Sequence, residues 1–545
     1  MRAWVMLLLL TLPAFSGCLS FLVDDDEPVR LAYPADVGYD ASTVAVTDIR
    51  STDADIVSFD NTTLSAIIVE PLAAGTLPDG SPATFPILLL GHPWATAKEF
   101  YENMFFGPHA GEPEPPVNML EELARAGFIT VAWDARGFGQ SGGQVTMAGP
   151  AEMADIDALI DHVEERYPTN GLVGIMGQSY GGAQALNAAG TNHRIAAAAE
   201  FQGWTDLYHG VSPGGVPKLE WLTILAGTGA ATSGAQLSPL FADWAQAYAT
   251  RNGLSEVEAQ MDARSSFERL PGDDTPLFFC QGLQETLFPQ VDLAVEATDG
   301  FTRAVLHHGG HSTFHRPCWD AAIEWFQFFL RGLDTEVDQW PALKTVDARG
   351  GDLVVEYADW PQTTDMALYL RAPDLNPNPT PNATFTIVQR GLANPVLEPT
   401  FVWDLTGRPN NEMPEGFRQD PAAVFFQTRP FQEPGVLVGA AELKLELADN
   451  STANLPFQVT AQLYHVTEGN SRLIARGAAA AITPDDLLGN TTLPLRLDFT
   501  KTDLFVGDAL QLKLAANDPS AFAPLLANYD VTFTGDSTLM LPLLS

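Results

Sequence analysis

Leu172-Val-Gly-Ile-Met176 runs without a break into Gly177-Gln178-Ser179-Tyr180-Gly181-Gly182, and that into an Ala- and Leu-rich stretch ending near Ala189. A short apolar run, a glycine-flanked turn and a helix-forming segment read as a buried strand, a sharp bend and a helix. The bend needs glycines because side chains there would collide with the strand and helix it joins. It lifts the Ser179 hydroxyl above the sheet edge. It also sets a helix N-terminus, with its partial positive charge, where negative charge develops when a carbonyl is attacked. Ser179 is the expected nucleophile.

The same alternation repeats on both sides of this segment. Ile87–Leu90, Phe128–Trp133, Pro276–Cys280 and Ala304–Leu306 are short apolar runs expected as strands. Val117–Arg125, Met153–Arg166, Gly182–Ala189 and Asp320–Leu330 carry helical patterns. Strands alternating with helices imply a mostly parallel sheet with helices on its faces, here over residues 31–338. Residues 204–272 break the alternation with helical pieces and Gly-rich loops, and are expected to form an inserted cap.

A serine hydroxyl needs a base to take its proton and a carboxylate to orient that base. Pro276–Cys280 leads into Gly282-Leu-Gln-Glu285, which makes Glu285 the expected acid, with Asp292 on the next helix in reserve. Ala304–Leu306 leads into His307-His308-Gly309-Gly310-His311, where the glycines let His311 fold back as the base. His307 and His308, nearer the strand, read as packing residues. The oxyanion donors are expected from the N–H of Tyr180 and from Trp94, by backbone or indole N–H, since Pro93 has none. A literal G-x-G-x-x-G lies at Gly137–Gly142, but the residues after it do not start a helix. A pyrophosphate would find no helix N-terminus there, so the segment reads as a turn shaping the cleft. No cofactor and no metal is expected.

Residues 339–545 change character. Leu443-Lys-Leu-Glu-Leu447, Gln458–Tyr464 and Leu510–Leu514 alternate apolar and polar residues between Asn, Gly, Pro and Asp turns, the pattern of an antiparallel β-sandwich or jelly roll. The stretch Asn376–Asn382 reads as a loop.

At the other end, Arg2 precedes an apolar run from Ala3 to Phe15 and then Ser16-Gly17-Cys18. The run is too short for a spanning helix and fits a signal-peptide core. Small residues before a Cys resemble a lipobox, so residues 1–17 are expected as a lipoprotein signal peptide, Cys18 as the acylated residue and 18–30 as a tether. Ordinary cleavage before Leu19 is the other possibility. The expected location is outside the cell, anchored by lipid to the outer face of the membrane. Cys280 and Cys318, the remaining cysteines, make no disulfide framework and read as structural, Cys280 as a buried thiol.

The formal net charge is −40, with six lysines and twenty-two arginines. So acidic a chain repels phosphate backbones, which disfavours nucleic acid as a partner. It fits either an acidic exported protein or one living in concentrated salt, where screening removes the self-repulsion.

Asp134-x-Arg136-Gly137-x-Gly139-x-Ser141-x-Gly143, Glu152-x-x-Asp155 and Gly177-x-Ser179-Tyr180-x-Gly182 together resemble the cocaine-esterase and X-Pro dipeptidyl-peptidase group (CocE/NonD-like). Trp360-Pro361-x-Thr363 and Gln462-Leu-Tyr-His-Val466 are similar to that group's C-terminal strands. The resemblance implies an α/β-hydrolase fold with an inserted helical cap, followed by an all-β, galactose-binding-like jelly roll. It implies a Ser–acid–His hydrolase. Two positions depart from the group, Trp94 after His92-Pro93 in place of Tyr after Thr-Pro, and Glu285 in place of Asp. The expected function is an exported serine hydrolase acting on a small peptide or ester, X-Pro dipeptidyl-peptidase-like or, alternatively, a carboxylic-ester hydrolase. Glu220, Asp243 and Glu256 in the cap are carboxylates that a peptide's N-terminal ammonium could use. A catalytically silent surface-binding protein is the alternative of a different class.

Overall fold

The computed structural model describes residues 45–73, 82–106, 115–232, 236–347, 353–379, 383–389, 423–448 and 455–545, except 469, 490, 519–521, 523, 524 and 526. The expected signal peptide, Cys18 and the tether lie outside the described residues.

In chain order the N-terminal part comprises β1 (Val46–Val57), β2 (Thr63–Ala73), β3 (Phe85–Gly91), α1 (Met119–Arg125), β4 (Ile129–Trp133), α2 (Pro150–Arg166), β5 (Thr169–Gln178), α3 (Tyr180–Ala189) and β6 (Ile195–Phe201). Next come α4 (Leu207–Val211), α5 (Leu219–Thr232), α6 (Leu240–Thr250) and α7 (Leu254–Asp262). The part closes with β7 (Leu277–Gly282), α8 (Val291–Ala297), β8 (Thr302–His307), α9 (Arg316–Arg331), β9 (Leu343–Thr345) and β10 (Val355–Tyr357). The strands form one sheet in the order β1-β2-β4-β3-β5-β6-β7-β8-β9-β10, parallel between every pair of neighbours from β4 to β9. This is an α/β-hydrolase fold, with helices α4–α7 inserted between β6 and β7.

Both faces of the central strands are buried, which is why they read as unbroken apolar runs rather than alternating ones. Ile87 and Leu89 of β3 pack into one cluster with Ile156, Leu159 and Leu186 of α2 and α3. Leu88 and Leu90, pointing the other way, join Leu120 and Leu123 of α1 and Trp325 and Phe326 of α9.

β6 carries no strand signal in the sequence. Its Ile195-Ala-Ala-Ala-Ala-Glu-Phe201 is rich in the best helix former, yet every residue is buried in the sheet between α3 and α9. Phe201 stacks on Trp319 of α9 with ring centroids 4.5 Å apart. Burial on both faces overrides the local propensity.

The cysteines correct an expectation. Cys280 is not a thiol but is joined to Cys318, with Cα atoms 6.1 Å apart. The partners are 38 residues apart in sequence, and they meet only because α9 packs back across the end of β7.

The C-terminal β part begins later than the expected residue 339, because β9 and β10 still extend the first sheet, and its described residues carry no α-helix. Nine strands from Thr363 to Leu544 form a sheet whose first and last members, Asn470–Ala481 and Thr492–Leu504, touch each other, so the sheet curls over its own core. Leu443, Leu445 and Leu447 face that core while Glu442 and Lys444 face solvent. This part leans on the inserted helices and on the loop after β7. Val216 packs with Ala478, Ala480 and Phe522, and Arg496 forms an ion pair with Asp292 at the start of α8.

Candidate active site

Ser179 occupies the bend between β5 and α3 with φ +57° and ψ −113°, a strained conformation for a residue bearing a side chain. The strain is held by the chains around it. The Ser179 N–H donates to the Phe201 carbonyl of β6 at 2.7 Å. A Cβ on Gly181 would lie 1.7 Å from the Gly91 oxygen, so the first turn of α3 rests directly on the end of β3. The glycine expected from the sequence is thus a requirement of close backbone approach.

His311 and Glu285 converge on this bend from the loops after β8 and β7. His311 Nδ1 lies 2.8 Å from Glu285 Oε2. A carboxylate can only accept, so Nδ1 carries the hydrogen and Nε2 is left as an acceptor. Ser179 Oγ sits 2.8 Å from Nε2 and therefore donates to it. The other oxygen of Glu285 accepts from the Leu287 and Phe288 N–H groups at 2.6 and 3.1 Å, which fixes the carboxylate plane. Asp292 is committed instead to Arg496. His307 stacks on His315 with ring centroids 4.3 Å apart and does not join the Ser179 chain.

Three residues not singled out from the sequence support this arrangement. Gln178 donates to Gln202 Oε1 at 2.6 Å and to the His311 carbonyl at 3.2 Å, and Gln202 donates to the Gly310 carbonyl at 3.0 Å. Together they pin the His311 loop to the bend. Glu200, the carboxylate in the otherwise apolar β6, accepts from the Gly203 N–H. Burial pushes its pKa from an ordinary 4.5 up to about 8, with the neighbouring Glu285 adding to the rise. A lone acid within an apolar strand next to the strand that leads into Ser179 is the signal that could have found it.

Glu200 makes a pH prediction. The folded chain keeps a proton that the unfolded chain releases above pH 4.5, so this group's contribution to stability declines as pH rises toward about 8. Glu200→Gln retains an acceptor for Gly203 but does not titrate. Its stability relative to the parent is expected to improve through this window, by at most about 1.4 kcal/mol per pH unit. Parallel plots of urea midpoint against pH for the two proteins would show that Glu200 ionises normally.

The expected oxyanion donors divide. The Trp94 indole N–H is engaged, donating to the Leu225 carbonyl of α5 at 2.9 Å, so only the backbone N–H of Trp94 is left for the role. The backbone N–H of Trp94 and that of Tyr180 have no intramolecular acceptor among the described residues. The Tyr180 phenol is turned away and donates to Glu152 at 2.6 Å. His92, just before Pro93, donates from Nδ1 to the Pro93 carbonyl and accepts the Ala135 N–H, and burial holds its pKa down, so it is a neutral strut. The Asp134–Gly143 segment is a turn: Asp134 accepts from the Lys98 and Gln140 N–H groups, and Phe138 packs edge-on against Trp94 with centroids 5.1 Å apart.

Two family models match the sequence, X-Pro dipeptidyl-peptidase (S15 family) over residues 60–313 and the X-Pro dipeptidyl-peptidase C-terminal non-catalytic domain over 335–539. Together they take in well over half of the chain. The chain belongs to the S15 family. As a member it is a serine hydrolase of acyl bonds, which retires the silent binding-protein alternative. Its fold is shared with a CocE/NonD family hydrolase from Staphylococcus aureus at 14% identity, covering 95% of this chain and 99% of that one, TM-score 0.68. An α-amino acid ester hydrolase matches at 15% identity, covering 92% and 97%, with TM-score 0.68. An aminopeptidase from a marine sediment archaeon, Thaumarchaeota archaeon, matches at 15% identity, covering 96% and 99%, with TM-score 0.67. No curated protein matches the chain.

This S15-family protein has two recesses flanking helix α5. One is small, about 10 Å³, and is lined by the charged Lys218, Glu220, Arg476 and Asp498 together with Trp221, Thr286 and Phe522. It adjoins His311, because the Trp221 ring lies edge-on to the His311 ring at 5.1 Å. Burial raises the Asp498 carboxyl to about 6 against the pull of Lys218, Arg476 and Arg496. Of the three cap carboxylates considered from the sequence, only Glu220 reaches this recess, while Asp243 and Glu256 are exposed elsewhere on α6 and α7. The other recess is apolar and begins at Trp94.

Proposed function

We propose that Ser179, His311 and Glu285 are the nucleophile, the proton carrier and the orienting carboxylate of this hydrolase, and that its substrate is a carboxylic ester. The single observation that carries the assignment is the continuous hydrogen-bonded chain Ser179–His311–Glu285, each link 2.8 Å. In the first half-reaction Ser179 Oγ bonds to the substrate carbonyl carbon and its proton passes to His311 Nε2. The proton then goes to the departing alcohol oxygen as the ester bond breaks. Water repeats the sequence on the acyl-enzyme and returns the proton to Ser179. The backbone N–H groups of Trp94 and Tyr180 hold the negative oxygen that forms at each stage.

The charge beside His311 supports an ester over an X-Pro peptide. Binding a free ammonium requires a surplus of negative charge, whereas Glu220 and Asp498 share their recess with Lys218 and Arg476. The X-Pro dipeptidyl-peptidase reading is the second one, favoured by the match to both X-Pro dipeptidyl-peptidase family models and by Glu220 in that recess. Assaying p-nitrophenyl acyl esters beside Ala-Pro-p-nitroanilide separates the two. Turnover of the anilide well above that of every ester would overturn the ester assignment.

We also propose that the protein is exported and acylated on Cys18. The apolar run and lipobox-like residues before Cys18, together with a disulfide that persists in oxidising compartments, support this. Cys18→Ala is expected to move the protein from the membrane fraction to the soluble fraction of its host, and unchanged membrane association would overturn the lipid anchor.

A further inference from the structure

We infer that the apolar recess beside Trp94 is the site of the substrate's acyl chain, which makes the protein a hydrolase of medium- to long-chain acyl esters; this rests on the ester reading above. The recess is a cavity of about 930 Å³ between the α5–α6 pair and the C-terminal part, walled by Trp94, Leu222, Phe241, Trp244 and Leu525 among others. Cavities of this size enclose whole ligands in other proteins. Arg251 is the one charged side chain among the described lining residues, and its guanidinium donates to the Gly215 carbonyl at 2.8 Å. Such a wall offers a ligand apolar contact and little else, so its occupant is a hydrocarbon.

The position of the cavity says which hydrocarbon. Trp94 bounds it at one end, and the Trp94 ring lies edge-on to Tyr180, 5.7 Å between centroids. Trp94 thus lines the cavity and packs on Tyr180, the residue that follows Ser179. Helix α5 separates the recesses. Its Trp221 packs on His311, while Leu222 and Leu225 face the cavity and the Leu225 carbonyl holds the Trp94 indole. An ester with its carbonyl at Ser179 would then place its acyl half in the cavity, on the Trp94 side of α5.

The test is the dependence of kcat/KM on acyl length across p-nitrophenyl acetate, butyrate, octanoate and laurate, paired with a binding measurement that does not need catalysis. Each methylene that enters the cavity is expected to raise kcat/KM about fourfold until the chain fills it. Ala245→Phe, which narrows the cavity from α6, is expected to flatten that rise. Decan-1-ol added to Ser179→Ala is expected to quench tryptophan fluorescence, and Ala245→Phe in the same background to weaken its binding tenfold or more. A flat or falling chain-length series with acetate still turned over through Ser179 overturns the acyl-chain site and leaves the ester reading standing. Failure to turn over any ester overturns the ester reading itself, and absence of decan-1-ol binding then overturns the cavity's role independently.

Discussion

Ser179→Ala is expected to fold normally and to lose hydrolysis by about 10⁴- to 10⁶-fold, because the acyl-enzyme can no longer form. The comparison is clean for a structural reason. Alanine keeps a Cβ at the same strained φ of +57°, so the backbone strain is unchanged and stability should differ little from the parent. Ser179→Gly removes the same hydroxyl but relaxes the bend. It should be equally inactive and more stable by about 1 kcal/mol. A fluorophosphonate probe should label the parent and neither variant. Activity in Ser179→Ala near that of the parent would sink the assignment of the nucleophile.

The second large effect separates Glu285 from its reserve, Asp292. Glu285→Gln should lower kcat by about 10²- to 10⁴-fold with little change in fold. One oxygen of Glu285 already accepts from the Leu287 and Phe288 N–H groups, so the amide oxygen of a glutamine would take that place. Its NH2 then faces His311 Nδ1, which must become the acceptor. The hydrogen moves to Nε2, and His311 can no longer take the proton of Ser179. Asp292→Asn, by contrast, weakens the pair with Arg496 that ties α8 to the C-terminal part, and should cost about 1–3 kcal/mol of stability while kcat stays near that of the parent. If the two variants exchanged these outcomes, Asp292 would be the orienting acid.

Much of this site could be read before any coordinates. The glycines around Ser179, the Gly-x-x-acid turn carrying Glu285 and the Gly-Gly-His loop carrying His311 are local patterns, because a tight bend or a short loop is governed by sterics over a few residues. Order along the chain then sufficed to pair them. Other features left no local trace. The alanines of β6 point to a helix and were overruled by burial between two layers. Trp94 offered two N–H groups, and nothing near it revealed that its indole is occupied by a carbonyl 131 residues away. Trp221, which covers His311, sits in an apolar helix with no motif around it.

The alternation of strands and helices, the bend at Ser179, the order of serine, acid and histidine, and the change to alternating strands toward the C-terminus follow from the sequence alone, because periodicity and backbone sterics act between near neighbours; that the change comes after β10 rather than at residue 339 does not. The joining of Cys280 to Cys318, the burial of Glu200 and the division of Asp292 from Glu285 were decided only in three dimensions, as was the apolar cavity that α5 closes off from the small recess. Each depends on which strand lies beside which and on how α5 and α9 pack across the sheet, and these long-range choices are made by the balance of burial over the whole core.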